Sequence, residues 1–244
     1  MHPIICKIGP FTVYSYGLML VAAFLAASEL SRQEAKRQLI DPDIISNLGF
    51  IAFTFGIIGA RILFVIRNIG YYIHSPGEII MLQYGGLSWF GGLLLAIISV
   101  TIYLKKKRLP VYKILDLVVP FVALAQAIGR VGCLLNGCCL GKVSKFGLYF
   151  SAPETVRIPT QLYSSLILIL IFVILRILQQ RSHREGQIFF AYLLLYSLKR
   201  FFIEFWRENE ATFWGLSLFQ VISIAIFCFA LIKIIASQRS KVQR

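Results

Sequence analysis

The run Gly129-Arg-Val-Gly-Cys-Leu-Leu-Asn-Gly-Cys-Cys-Leu-Gly141 follows the apolar stretch Phe121-Val-Ala-Leu-Ala125 after Gln126-Ala-Ile128. Arg130 therefore falls inside an apolar helix and is not a solvated surface charge. A cation at membrane depth costs roughly 2.5–3.5 kcal/mol on insertion scales, and it persists where a partner or an anionic ligand compensates it. No acidic residue lies within a helical turn of Arg130 in sequence. The glycines and Asn136 around it leave the backbone open to close approach. Arg130 reads as an anion receptor buried in a membrane protein.

The rest of the chain agrees with that setting. Hydrophobic residues make up 58% of the sequence and charged residues 15%, with a mean hydropathy of +0.76, far from soluble composition. Seven apolar stretches approach the length needed to cross a hydrocarbon core of about 30 Å. They run approximately over 11–30, 44–66, 87–104, 114–135, 160–178, 187–206 and 214–236. The third is interrupted by Gly91-Gly92 and the fourth by Arg130. The expectation is an all-α integral membrane protein with seven transmembrane helices, residues 1–244 forming a single polytopic membrane domain. The first stretch lacks a small-residue cleavage site, so a removed signal peptide is not expected.

Basic residues set the orientation. With the N-terminus outside and the C-terminus cytoplasmic, the inner segments carry fifteen Lys and Arg, Lys241 and Arg244 among them, against six in the outer segments. This is a positive-inside bias. It also accounts for the net charge of +14 without nucleic acid, because these charges cap apolar helices and form no single basic face.

In this topology Arg61, Arg130, Lys199 and Arg200 all lie within spans and toward the outer leaflet, with Tyr14, Tyr16, Gln161 and Tyr163 at the same level. Arg61 and Lys199 also fit snorkelling to the headgroup region, and Arg200 with Glu204 fits a self-neutralising pair one helical turn apart. The Gly85-to-Gly92 run, with two Gly-Gly pairs flanking aromatic residues, predicts an irregular helix start or a close helix approach. Cys133, Cys138 and Cys139 read first as small packing residues and next as a disulfide. With no histidine close in sequence, no metal is expected.

Six segments in order resemble the prolipoprotein diacylglyceryl transferase family of bacterial inner-membrane enzymes. Ile8 to Met19 resembles the family's opening, with its tyrosine-glycine pair Tyr16-Gly17. Gly56 to Arg61 resembles its second-helix segment, and Gly85 to Gly92 its double Gly-Gly segment. Gly129 to Gly141 resembles its signature, G-R-x-G-N-x-x-N-G-E-x-x-G. Arg157-Ile-Pro-Thr-Gln-Leu-Tyr163 resembles its Pro-x-Gln-Leu-Tyr step, and Tyr196 to Arg207 its Y-x-x-x-R-F-x-x-E-x-x-R segment.

The resemblance implies transfer of a diacylglyceryl group from phosphatidylglycerol to the lipobox cysteine thiol in the signal peptide of a prolipoprotein, releasing glycerol phosphate. It implies a multi-pass enzyme of the bacterial cytoplasmic (inner) membrane that needs no cofactor. On that resemblance Arg130, Arg200 and Tyr16 are the expected catalytic residues. Tyr196, Asn136, Gln161, Gly141, Glu204 and Arg61 join Arg130 and Arg200 as expected substrate-binding residues. The guanidinium fork matches phosphate oxygens.

The sequence also departs from the family pattern. Phe90 stands where most members carry a histidine, Cys133 and Cys138 where the signature has asparagine and glutamate, and Ser164 where a glutamate often follows the Gln-Leu-Tyr step. His2, His74 and His183 lie elsewhere. The second reading is therefore a paralogue that binds phospholipid headgroups without turnover or uses a different acceptor. A transporter is disfavoured, since no repeat is visible and the polar residues avoid the midplane.

Overall fold

A computed structural model describes residues 4–8, 11–81, 85–150, 154–207 and 215–239. His2, Lys241 and Arg244 lie outside the described residues. Among those described, the chain is mostly helical, with eight α-helices and two short antiparallel hairpins.

β1 (Ile4–Ile8) pairs with β2 (Phe11–Tyr14) and leads into α1 (Ser15–Arg37). α2 (Pro42–Arg67), the single turn α3 (Ile69–Tyr72) and a 3₁₀ turn (Pro76–Ile80) precede α4 (Trp89–Lys106). α5 (Val111–Asn136) is followed by the hairpin β3 (Val143–Phe150) and β4 (Thr155–Arg157), then α6 (Thr160–Gln179), α7 (Gln187–Glu204) and α8 (Leu218–Arg239).

The all-α expectation is corrected by the two hairpins. Residues 11–14, read as the start of the first span, belong to β2, so the helix begins at Ser15. A short apolar run carries no periodicity that separates strand from helix. Each of the seven expected stretches coincides with one long helix. Four of these, α2, α5, α6 and α8, are long and apolar enough to cross a membrane. The other three are α1, whose last turns hold Glu34, Lys36 and Arg37, the 18-residue α4, and α7, which carries Lys199, Arg200 and Glu204.

The contacts divide into two compact units, one drawn from Met1–Ser31 and Tyr112–Arg244, the other from Arg32–Val111. The core of the first joins Val119, Ala123 and Ala127 of α5 to Leu168, Ile171 and Leu175 of α6 and to Ile188 and Tyr192 of α7. Their three- and four-residue spacings put each set on one helical face. On α6 the opposite face, Leu166, Leu170, Val173 and Ile177, is exposed, as suits a helix that faces lipid. Helices in such surroundings associate by close packing and interhelical hydrogen bonds. Ser165 Oγ donates to the Ala127 carbonyl at 2.9 Å, and Tyr192 OH to Gln126 Oε1 at 3.0 Å.

Asp116 of α5 fixes the start of α7. Its carboxylate accepts hydrogen bonds from the backbone N–H groups of Gly186 at 2.6 Å and Phe189 at 2.7 Å. Those donors have no partner within their own helix, and a negative charge is favoured at a helix N-terminus. Gly186 itself has φ +87°, with the Tyr112 and Phe190 rings close by, so a side chain there would be both strained and crowded.

In the second unit, α2 and α4 cross at glycines. A β-carbon on Gly59 would overlap the Gly91 carbonyl, and one on Gly91 would overlap that of Gly59. Gly85 and Gly86 take φ +76° and +80° just before α4. The double Gly-Gly run thus supplies both the irregular start and the close approach expected of it.

Candidate active site

Arg130 sits on α5, one helical turn and a half before its end. It is partly buried, and among the described residues its guanidinium makes no hydrogen bond and no ion pair. A β-carbon on neighbouring Gly129 would meet nothing within 4 Å, so the backbone beside Arg130 is open. Two residues on, Gly132 packs against α1, where a β-carbon would lie 2.9 Å from Met19 Cβ and 3.4 Å from Tyr16 Cδ2. This contact seats Tyr16 within electrostatic reach of Arg130 and of the thiols of Cys133, Cys138 and Cys139.

α7 brings the other cations. Lys199 is 5% exposed, so its head does not reach solvent as a snorkelling lysine would. Its Nζ lies 4.7 Å from the centre of the Tyr196 ring. Among the described residues it has no hydrogen bond and no acidic partner, and Arg130, Arg200 and Arg207 are the charges that act on it. Arg200 is differently placed. Its Nη2 lies 3.1 Å from Glu204 Oε2, and its Cζ 4.6 Å from the centre of the Phe219 ring. The other carboxylate oxygen of Glu204 accepts from Ser217 Oγ at 3.1 Å. The expected pair of Arg200 and Glu204 is present.

The loop after α5 closes the site and is tied on three sides. Gln161 Nε2, in the first turn of α6, donates to the Cys138 carbonyl at 2.6 Å. Thr160 Oγ1 donates to the Cys139 carbonyl at 3.1 Å. Gly141 pairs with Arg207 in an isolated β-bridge, and Arg157 Nη1 donates to the Gly141 carbonyl at 3.2 Å. A β-carbon on Gly141 would stand 2.5 Å from the Ile158 carbonyl oxygen and 2.9 Å from that of Trp206. Only glycine fits there. Asn136, at the end of α5, lies beside Cys138. Hydrogen bonding from Cys133 and Cys138, with Arg207 and Arg130 beyond, holds the Cys139 thiol below the ordinary thiol range. Gln161 is 1% exposed, and its Oε1 has no hydrogen-bond partner among the described residues. An unsatisfied buried acceptor costs about 1–3 kcal/mol and is suited to a donor from a ligand.

Of the residues singled out from sequence, Tyr16, Arg130, Asn136, Gly141, Gln161, Tyr196, Arg200 and Glu204 belong to one compact unit. Arg61 belongs to the other and has a different occupation. It is 7% exposed, and its Nε, Nη1 and Nη2 donate to the carbonyls of Ile79, Gly85, Gly86, Glu78 and Met81 at 2.5–3.1 Å. A guanidinium has five N–H donors, and all five are engaged by these carbonyls. Arg61 organises the segment between α3 and α4. Two residues carry more weight in the structure than their sequence positions suggest. Lys199 fits snorkelling by position and Arg207 falls among the outer-segment charges, yet Lys199 is buried within electrostatic reach of Arg130, Arg200 and Arg207. The adjacent Lys199-Arg200 pair in an apolar helix is the signal that points to Lys199.

One unit of this helical membrane protein thus gathers Arg130, Lys199, Arg200 and Arg207 as mutually acting cations, with tyrosine, glutamine and a glycine-tight loop in the same unit. The family model for prolipoprotein diacylglyceryl transferase matches residues 3–236. Similar proteins include the phosphatidylglycerol–prolipoprotein diacylglyceryl transferase of Clostridium tetani, 35% identical over 94% of this chain and 97% of that protein. Proteins of the same name from Pediococcus pentosaceus and Streptococcus uberis are 32% and 33% identical, covering 100% and 99% of this chain and 93% and 97% of their own. The chain belongs to the prolipoprotein diacylglyceryl transferase family.

Proposed function

We propose that this protein transfers a diacylglyceryl group from phosphatidylglycerol to the lipobox cysteine thiol of prolipoproteins, releasing glycerol phosphate. Family membership over residues 3–236 supports the reaction. The observation that carries the site assignment is Lys199, buried within electrostatic reach of Arg130, with no acid bonded to either among the described residues. A cation taken out of water without a partner is costly, and a lipid phosphate supplies the missing charge.

In the reaction the acceptor sulfur forms a bond to the glycerol carbon as the carbon–oxygen bond to phosphate breaks. The electron pair stays on the phosphate, which departs as glycerol phosphate, and the thiol proton leaves to that product or to solvent. Arg130 and Arg200 hold the phosphate, with Lys199 and Arg207 adding positive charge where negative charge grows. Such preorganised electrostatic stabilisation dominates the rate enhancement of many enzymes. Glu204 fixes the orientation of Arg200. Tyr16 and Tyr196 orient headgroup oxygens, Gln161 Oε1 accepts a glycerol hydroxyl, and Asn136 and Gly141 shape the polar lining. A free thiol has a pKa of about 8.5, so ionising it at pH 7 costs about 2 kcal/mol. Fixed positive charges offset that cost, and Phe90 in place of an imidazole is compatible with turnover.

The setting proposed is a single polytopic domain of the bacterial inner membrane, with α1, α4 and α7 joining the four apolar helices to give seven spans. The N-terminus is outside and the C-terminus cytoplasmic, in accord with the fifteen-to-six distribution of basic residues.

The test is reconstitution of the purified protein with labelled phosphatidylglycerol and a lipobox peptide. A thioether-linked diacylglyceryl product that vanishes in Arg130→Ala is the expected result. Phosphatidylglycerol that binds without yielding product would overturn the transferase reading.

A further inference from the structure

Cys133, Cys138 and Cys139 hold their three sulfurs within 4.8 Å of one another. All three are free thiols. Cys133 is buried near the end of α5, and the other two follow in the loop, partly buried. The loop is held firmly. Cys138 N donates to the Cys133 carbonyl at 3.1 Å, and Gln161 and Thr160 grip the Cys138 and Cys139 carbonyls at 2.6 and 3.1 Å. Gly137 and Cys139 take φ +69° and +60°. A left-handed non-glycine residue persists where its surroundings over-determine it, and such residues gather at ligand sites.

We infer that Cys133, Cys138 and Cys139 together bind one soft d10 cation, zinc(II) or copper(I), through their sulfurs. A metal–sulfur bond of about 2.3 Å places three sulfurs in a trigonal arrangement about 4.0 Å apart, within the spacing found here. Thiolates select copper(I) and zinc over hard cations. Each thiol releases its proton to solvent as its sulfur binds, and three thiolates with one such cation leave a net negative charge. Arg207 and Arg130 both act on this cluster and balance that charge. The cation ties the end of α5 to the loop that carries Gly141. Cys133 and Cys138 stand where the family signature has asparagine and glutamate, so the device is a feature of this chain. It stands whether or not the protein is a transferase.

The test uses the full-length protein, purified in detergent under reductant and stripped with a chelator. Zinc(II), or copper(I) under anaerobic conditions, is then added, excess is removed, and metal is quantified by elemental mass spectrometry. The expected result is one equivalent of one of the two metals. Cys138→Ser and Cys139→Ala should each lower retention at least tenfold, while Cys6→Ser and Cys228→Ser, at exposed cysteines, leave it unchanged. Metal should also raise Tm in the native protein and not in Cys139→Ala. Variants are scored only where they elute as a single species, and the native protein decides alone if neither does. Failure of the folded native protein to retain either metal would overturn the inference, as would retention indifferent to the substitutions. So would a mass lighter by two hydrogens, reporting a disulfide in the triad.

Discussion

The ammonium of Lys199 stands 4.7 Å from the centre of the Tyr196 ring, one helical turn away on α7. The aromatic face is its attractive contact among the described residues, while three guanidiniums act on it from other directions. Such a contact is worth about 2 kcal/mol when desolvated, less than the cost of burying the charge. Lys199→Met should therefore raise Tm in the absence of lipid and raise KM for phosphatidylglycerol by tenfold or more. A variant with native KM would remove Lys199 from the headgroup site.

Arg130 has no competing partner among the described residues, so its loss falls on the anionic ligand alone. Removing a preorganised donor to developing charge typically costs about 10²–10³ in turnover. Arg130→Ala should lose at least that factor with normal membrane insertion, and Arg130→Lys should recover part of it, since lysine keeps the charge but not the fork. Single-turnover kinetics with labelled phosphatidylglycerol separates the two.

Arg200 and Glu204 are bonded to each other, with side chains 15% and 1% exposed. Breaking a buried pair from one side strands the other charge, at a cost of about 3–5 kcal/mol. Glu204→Ala should lower Tm sharply. Arg200→Met with Glu204→Met should restore much of the Tm while activity stays lost. A double variant no more stable than Glu204→Ala would show that the pair does not act as a unit.

For Arg61 the expectation is the reverse. Five carbonyls in the segment between α3 and α4 depend on it, and each hydrogen bond to a charged group is worth about 1.5–3 kcal/mol. Arg61→Lys, with three donors, loses at least two of these bonds, should destabilise the protein by about 3–6 kcal/mol, and should expose the turn Pro76–Ile80 to proteolysis. KM for phosphatidylglycerol of the folded fraction should not change. A raised KM would return Arg61 to lipid binding.

Much of this is legible in sequence because its signals are side chains in the wrong surroundings. Arg130 inside an apolar run, the paired glycines at 85–92 and Gln161 at the mouth of α6 each announce a local role. What stays hidden depends on backbone. The acceptors that saturate Arg61 are carbonyls, identical at every residue, so no pattern marks them. The hairpin of β1 and β2 is indistinguishable from a helix start over so short a run. The convergence of three cysteine sulfurs rests on two left-handed backbone positions, Gly137 and Cys139, of which only the glycine is suggestive in sequence.

The bond between Asp116 and the first turn of α7 has a consequence for distance. Arg130 lies fourteen residues beyond Asp116 on α5, and Arg200 fourteen residues beyond Gly186 at the head of α7. At about 1.5 Å per residue, both arginines stand roughly 21 Å along their helices from a shared origin. The carboxylate acts as the zero mark of a ruler engraved on two helices, and equal counts bring the two guanidiniums to one level. One residue inserted into α7 between Gly186 and Arg200 would shift Arg200 by about 1.5 Å and turn it by about 100°, putting the arginines out of step without removing either.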